Sequence, residues 1–232
     1  DTFKKAGILV GQVLLTREDL GDRERSLNVR HTLLELLKRR VVPIINENDT
    51  VAVEEIKFGD NDTLSALVAS KVEANLLILL TDVDGLMQDP DSPAPSIIPE
   101  VAEITPEIEK LASPKPGSYR GTGGMATKIA AAKIATASGV EVVITTGLVP
   151  GHWIGAVDGA PRGTRFPAGK KSLSDKDHWL AFSATPAGQV LVDEGARRAL
   201  VAQGRSLLPA GVTGVVGRFV AGDVVSVVDA SG

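Results

Sequence analysis

The stretch Gly121-Thr122-Gly123-Gly124-Met125-Ala126-Thr127-Lys128 runs straight into Ile129-Ala130-Ala131-Ala132-Lys133-Ile134-Ala135, and the reading of the whole chain turns on that junction. The second segment is alanine-rich and strongly helix-forming. The first places glycines, two hydroxyls and a lysine immediately before it. A glycine loop feeding a helix presents free backbone N–H groups and allows close approach where no Cβ intervenes. It also turns the positive end of the helix toward whatever lies there. A polyphosphate needs all three. Lys128 falls in the first turn or two of the helix, within reach of such a group. The same composition suits an ordinary glycine turn before a helix, and the octet alone does not separate the two readings.

On either side of this loop, apolar runs alternate with helical patterns. Upstream, Leu76-Leu77-Ile78-Leu79-Leu80 is a continuous apolar strand of the kind buried on both faces, and it ends in Thr81-Asp82-Val83-Asp84-Gly85. Before it, Val41 to Asn46 is a short buried strand ending in Asn46-Glu47-Asn48-Asp49, and Gly59-Asp60-Asn61-Asp62-Thr63 introduces a helix from Leu64 to Ala74. Asp62 or Thr63 suits the N-cap of that helix, which leaves Asp49, Asp60 and Asn61 without a structural duty. Earlier still, Asp1 to Gly7 reads as a last helical turn capped by Gly7, Ile8 to Leu15 as a strand, and Thr16-Arg17-Glu18-Asp19 as a helix start. A charged helix from Asp22 to Arg40 follows, with Leu27, Leu33, Leu34, Leu36 and Leu37 as its expected inward stripe. Downstream, Pro106 to Leu111 gives a short helix, Gly139 a cap, and Val140 to Thr146 another strand. Strands alternating with helices, with polar residues gathered at the strand ends, predict an α/β fold built on a doubly wound, mainly parallel sheet.

The character changes after Pro167. Residues 167–178 are polar, lack periodicity and read as a linker. From Trp179 the chain shows short apolar pieces, a helix from Asp193 to Gln203, and glycine-punctuated valine strands from Val212 to Val228. That pattern predicts a small β-rich second unit.

Composition narrows the functional classes. Hydrophobic residues make up 43% and charged residues 23% of the 232, as in an ordinary globular protein. The absence of cysteine excludes disulfides and thiolate metal sites and suits a reducing compartment. Three scattered histidines offer little to zinc. No apolar run approaches the roughly 18 residues of a membrane span. A net charge of −4 argues against a general nucleic-acid binder.

Taken in order, Ile45-Asn46-Glu47-Asn48-Asp49, Gly59-Asp60-Asn61-Asp62, Leu80-Thr81-Asp82 and Gly121 to Lys128 resemble the glutamate 5-kinase branch of the amino acid kinase family. The segment from Trp179, with Val192-Asp193-Glu194-Gly195-Ala196 and Ser206-Leu207-Leu208-Pro209-Ala210-Gly211, is similar to the PUA domain of that branch. The resemblance runs almost end to end. It implies a kinase domain over 1–166, the linker at 167–178 and a PUA-like domain over 179–232. The activity it implies is phosphoryl transfer from ATP to the γ-carboxylate of L-glutamate, the first step of proline synthesis, in the cytoplasm.

The motif matches also imply site residues. Thr81, Asp82, Thr122, Gly123, Gly124, Met125, Ala126, Thr127 and Lys128 fall on the nucleotide-binding positions. Asp49 and Asn61 fall on the glutamate-binding positions, Asp49 taking the α-ammonium. Lys128 stabilises the transferring phosphoryl group, and Asp62 orients the catalytic lysines rather than accepting a proton. Mg2+ arrives mainly on the ATP phosphates, and no protein ligand is assigned to it. Proline is implied as a feedback inhibitor and a homo-oligomer as the assembly. The family's opening strand and its lysine- and glycine-containing phosphate loop find no match here, since Lys5-Ala6-Gly7 precedes a strand instead of following one. The tail stops at Gly232, before the family's last strands. Both domains are therefore expected to be partial.

Two alternatives come from elsewhere. PUA domains also bind RNA, which would make the chain an RNA-binding module on an inactive kinase core. From Trp179 onward, however, four basic residues face four acidic ones, with only Trp179, Phe182 and Phe219 available for stacking. A related carboxylate, carbamate or nucleotide kinase is the other alternative.

Overall fold

The computed structural model describes residues 2–51, 60–89, 92, 95–112, 124–169, 175–184 and 186–229, with the backbone alone over 175–178. The chain divides into two compact units, Asp1–Ser183 and Ala184–Gly232.

The first unit begins with a single helical turn, α1 (Thr2–Lys5), ended by Gly7 at φ +70°, where the left-handed backbone favours glycine. Strand β1 (Leu9–Leu15) follows. Thr16 then opens α2 (Arg17–Gly21) with a capping box: its hydroxyl accepts from the Asp19 N–H while the Asp19 carboxylate accepts from the Thr16 N–H. Asp22 caps α3 (Arg23–Lys38), which leads into β2 (Val41–Glu47). β1 and β2 pair in parallel, Leu9 against Val41 through Leu15 against Glu47.

The inward face of α3 differs from the leucine stripe expected of it. Ser26 and Leu33 are the buried positions, whereas Leu27 and Leu37 stand about half exposed. Leu27 lies one residue, about 100° around the axis, from Ser26, and Leu37 belongs to the last turn. The buried leucines Leu15, Leu20, Leu64 and Leu67 form one small core, joined by Val29, Ile45 and Phe182.

Helix α4 (Asn61–Lys71) connects β2 to β3 (Leu76–Thr81). A short helix α5 (Pro106–Ala112) and the longer α6 (Met125–Ala137) precede β4 (Glu141–Thr146), which pairs with β3 in parallel. Helix α7 (His152–Val157) and a short antiparallel strand β5 (Thr164–Phe166) complete this second sheet, ordered β3-β4-β5. Neither α7 nor β5 stood out in the sequence. The main core is built from Leu79, Val142 and Ile144 of the sheet, Phe166, and Ala66, Ala69, Ala131, Ala132 and Ala135 of α4 and α6. Alanines on facing surfaces let the two helices approach closely, because interaxial distance follows side-chain size.

β5 is fastened by Arg165, which donates to both Glu141 oxygens at 3.1 and 2.6 Å and to Glu100 at 2.9 Å. The turn into β5 needs glycine. Gly163 has φ +130°, and a Cβ there would run into the Ile144 carbonyl oxygen. The unit ends with α8 (Asp175–Phe182), and Phe182 joins the smaller core. Compact structure therefore continues past Trp179 before the division falls after Ser183.

In the second unit, β6 (Gly188–Val192) leads through Asp193 into α9 (Glu194–Gln203). Asp193 caps that helix by accepting from the Ala196 N–H at 2.7 Å. A 3-10 turn at Pro209–Gly211 precedes β7 (Val212–Gly217), which runs antiparallel to β6, and β8 (Ser226–Val228) pairs with β6 in parallel. A cavity of about 380 Å³ in this unit is lined by Leu191, Val192, Asp193, Glu194, Arg197 and Asp229, with Arg197 Nε bonded to Asp229 at 2.8 Å.

Candidate active site

Topology decides which loops can share a site. Helix α4 follows β2 and precedes β3, and α6 precedes β4, which is parallel to β3. A helix returning between parallel strands starts at the end where the strands finish. The first turn of α6 and the residues after β3 are therefore assigned to the same end of that sheet, and the first turn of α4 meets the first turn of α6 directly.

The start of α4 is set by Asp60, not by Asp62 or Thr63 as its sequence suggested. Asp60 sits at φ −156°, ψ 150°; its Oδ1 accepts from the Thr63 N–H at 2.6 Å and its Oδ2 from the Thr63 hydroxyl at 3.0 Å. Spacing explains this, because a capping carboxylate reaches the N–H three residues on. Asp62, inside the first turn, is thereby freed to point elsewhere.

It points at α6. Lys128 Nζ lies 3.0 Å from Asp62 Oδ2 and 3.3 Å from Oδ1, and the Thr127 hydroxyl lies 2.8 Å from the same Oδ2. The Lys128 side chain is 9% exposed and that of Asp62 17%. A lysine this well covered is held there by its pairing, since an unpaired buried ammonium is strongly disfavoured. Gly124 caps α6 without a side-chain hydrogen bond, and a Cβ built on it would meet nothing within 4 Å. Packing among the described residues thus places no demand for glycine at that position.

The remaining predicted residues divide as follows. Met125 and Ala126 form the first turn of α6 with Thr127 and Lys128. Thr81 closes β3, half-buried, and its hydroxyl bonds to the exposed Asp82 at 3.1 Å. Its carbonyl also accepts from the Gly147 N–H at 2.8 Å, which ties the ends of β3 and β4. Asp49 is exposed in the turn after β2, and Asn61 is exposed as the first residue of α4. Asn48, not singled out in the sequence, anchors the Asp49 turn by donating its N–H to the Leu15 carbonyl at 2.9 Å. Thr122 and Gly123 lie outside the described residues. Side-chain contact therefore unites Asp62, Thr127 and Lys128. Asn61 adjoins Asp62 in the first turn of α4, Thr81 and Asp82 share the end of the β3–β4 sheet with the start of α6, and Asp49 is not brought to them by any described contact.

Among the described residues no group of three or more His, Cys, Asp or Glu side chains is arranged to hold a metal ion. No described helix is long and apolar enough to cross a membrane.

Two parallel strand pairs with helices between them, and a covered lysine–aspartate pair at the starts of α4 and α6, define an α/β protein with a charged site at two helix starts. The chain belongs to the amino acid kinase family, whose model matches residues 1–146. A model of the PUA domain matches residues 188–232. More particularly, the chain is 53% identical over 234 residues to the glutamate 5-kinase of Moorella thermoacetica, covering 99% of this chain and 61% of that protein. It is 51% identical to the glutamate 5-kinase of Trichlorobacter lovleyi, covering 95% of this chain and 59% of the relative. The corresponding protein of Syntrophotalea carbinolica is 49% identical, over 100% and 62%. The chain thus spans about three-fifths of the length of these curated relatives.

Proposed function

We propose that the protein containing this chain transfers the γ-phosphoryl group of ATP to the γ-carboxylate of L-glutamate, forming γ-glutamyl phosphate. The observation that carries this reading is the Lys128–Asp62 pair, 3.0 Å apart and largely covered, at the adjoining starts of α4 and α6. Names of relatives at 49–53% identity support the choice of glutamate.

The chemistry asks little of a general base, because a carboxylate nucleophile is already ionised at neutral pH. One γ-carboxylate oxygen bonds to the γ-phosphorus, the bond to the bridging oxygen breaks, and ADP leaves with that electron pair. No proton need move. What the protein must supply is alignment of two anions and positive charge where negative charge gathers. Lys128 has three N–H donors, and Asp62 has two oxygens to accept them, so among the described residues one donor is left for the transferring group. The start of α6, where Gly124 caps without a side-chain bond, adds backbone N–H groups, and no described residue lies within 4 Å of a Cβ built on Gly124 to obstruct a phosphate there. Thr81 and Asp82 would contact the nucleotide, with Gly124, Met125, Ala126 and Lys128. Asp49 would take the substrate's ammonium, and Asn61 would hydrogen-bond beside it. ATP would bring Mg2+ on its own phosphates.

Proline inhibition, a homo-oligomeric assembly and a cytoplasmic location belong to the same proposal. RNA fits the second unit less well, because from Trp179 onward four basic residues are balanced by four acidic ones, which gives phosphates no basic stripe. The deciding experiment uses the full-length protein with ATP, Mg2+, glutamate and hydroxylamine, which traps the acyl phosphate as glutamyl hydroxamate. Glutamate-dependent hydroxamate is expected. ATP turnover indifferent to glutamate would overturn the reading.

A further inference from the structure

We propose that Thr127 is a positioning residue for this transfer: its hydroxyl holds the Asp62 carboxylate in place while the Lys128 ammonium turns toward a phosphoryl group. The inference rests on the kinase reading above and adds a role to it. Thr127 Oγ1 lies 2.8 Å from two acceptors, Asp62 Oδ2 and the Gly124 carbonyl oxygen. A hydroxyl has one proton, so it can donate to only one of them. The carboxylate is the stronger acceptor, since a charged partner roughly doubles the strength of the bond. The Gly124 carbonyl, moreover, already accepts from the Thr127 N–H at 3.2 Å. The hydroxyl proton therefore goes to Asp62.

The consequence is a division of labour on one carboxylate. Oδ2 is shared by Thr127 and Lys128, at 2.8 and 3.0 Å, whereas Oδ1 meets Lys128 at a longer 3.3 Å. If the ammonium shifts toward a phosphate, the Oδ1 contact loosens first and Thr127 still grips Oδ2. Without that grip, the carboxylate could swing to another rotamer and carry the lysine's counter-charge with it. Thr127 and Lys128 are consecutive on α6, about 100° apart around its axis, so a single rigid helix holds Asp62 from two directions. Both hydrogen-bond donors of Thr127, its hydroxyl and its N–H, are spent inside the protein. Only lone pairs remain, and these offer nothing to a phosphate oxygen. The role differs in kind from the nucleotide contact that its motif implies.

The test compares Thr127→Val, which keeps the shape and removes the hydroxyl, with Thr127→Ser, which keeps the hydroxyl. It uses the full-length protein, with folding checked by circular dichroism. Loss of a hydrogen bond to a charged group predicts a kcat lowered about 10- to 100-fold in the valine variant, with KM for ATP within about twofold. Serine should recover most of that loss. An unchanged kcat, or a KM for ATP that rises while kcat holds, overturns the inference in favour of no role or a nucleotide contact. The tie is also read without turnover, by a urea-unfolding cycle of Thr127→Val and Asp62→Ala. Valine must destabilise the parent measurably more than it destabilises the Asp62→Ala background. Equal losses overturn the inference whatever the activity. A parent that makes no hydroxamate instead sinks the kinase reading, and the cycle alone then decides the tie.

Discussion

Replacing Lys128 by methionine removes the ammonium and keeps an unbranched stem in the same packing. Two effects should separate. The first is on stability. Stripping one partner from a fully buried ion pair costs about 3–5 kcal/mol, because a charge is left uncompensated. Here the stranded carboxylate is 17% exposed and keeps the Thr127 hydroxyl at 2.8 Å. It also sits in the first turn of α4, where the helix's positive end favours an anion by about 0.3–1 kcal/mol. Methionine, in turn, avoids the desolvation of a covered ammonium. The net loss should fall to about 2 kcal/mol. The second effect is on turnover: loss of a preorganised charge aimed at the transition state lowers kcat about 10²- to 10³-fold, with a smaller change in affinity for ATP. The two are told apart by adding Asp62→Leu. An apolar pair in place of a buried ion pair is often as stable, so the double variant should recover most of the stability and none of the turnover. Urea unfolding followed by circular dichroism and hydroxamate formation supply the measurements. A kcat within about threefold of the parent would remove Lys128 from the catalytic role. A stability change under about 0.5 kcal/mol would refute the argument from burial.

Asp49→Ala should raise KM for glutamate strongly, leave KM for ATP nearly alone and weaken proline inhibition; equal effects on both substrates would assign the exposed Asp49 turn to folding instead. Asp60→Ala removes the cap of α4 and should cost about 1 kcal/mol in urea unfolding, whereas Asn or Ser at the same position should restore most of it. Gly163→Ala should be the harsher change, about 2–4 kcal/mol, because the obstacle is the Ile144 carbonyl and the backbone sits at φ +130°. A loss below about 1 kcal/mol there would mean that the turn into β5 can shift.

How much of this was legible beforehand depends on how far apart the deciding atoms lie along the chain. The runs Ile8 to Leu15, Val41 to Asn46, Leu76 to Leu80 and Val140 to Thr146 declared themselves as strands by apolar continuity, within a residue of β1, β2, β3 and β4, and Gly7 and Gly139 declared themselves as helix ends. The placement of Lys128 in the first turn of a helix followed from glycine before it and alanine after it. Motif order along the chain pointed to the amino acid kinase family, whose model matches residues 1–146. Short, weakly patterned pieces such as α7 and β5 gave no such signal, because a strand of three residues has no period to read.

Those features rest on near neighbours, for which local backbone preference suffices. The tertiary structure decided the rest. Asp60, Asp62 and Thr63 are all plausible caps by type, and only the backbone at φ −156° chose Asp60. Leu27 and Leu37 look like core residues by type, and only the packing of α3 left them exposed. The central pairing is the clearest case. Asp62 and Lys128 stand 66 residues apart; the family resemblance joined them by role, but no local pattern in either segment brings them together. They meet because Ala66 and Ala69 of α4 pack with Ala131, Ala132 and Ala135 of α6 in one core, closely enough for the first turns to touch. In that water-poor contact a carboxylate and an ammonium each need the other, and a neighbouring hydroxyl finds its use.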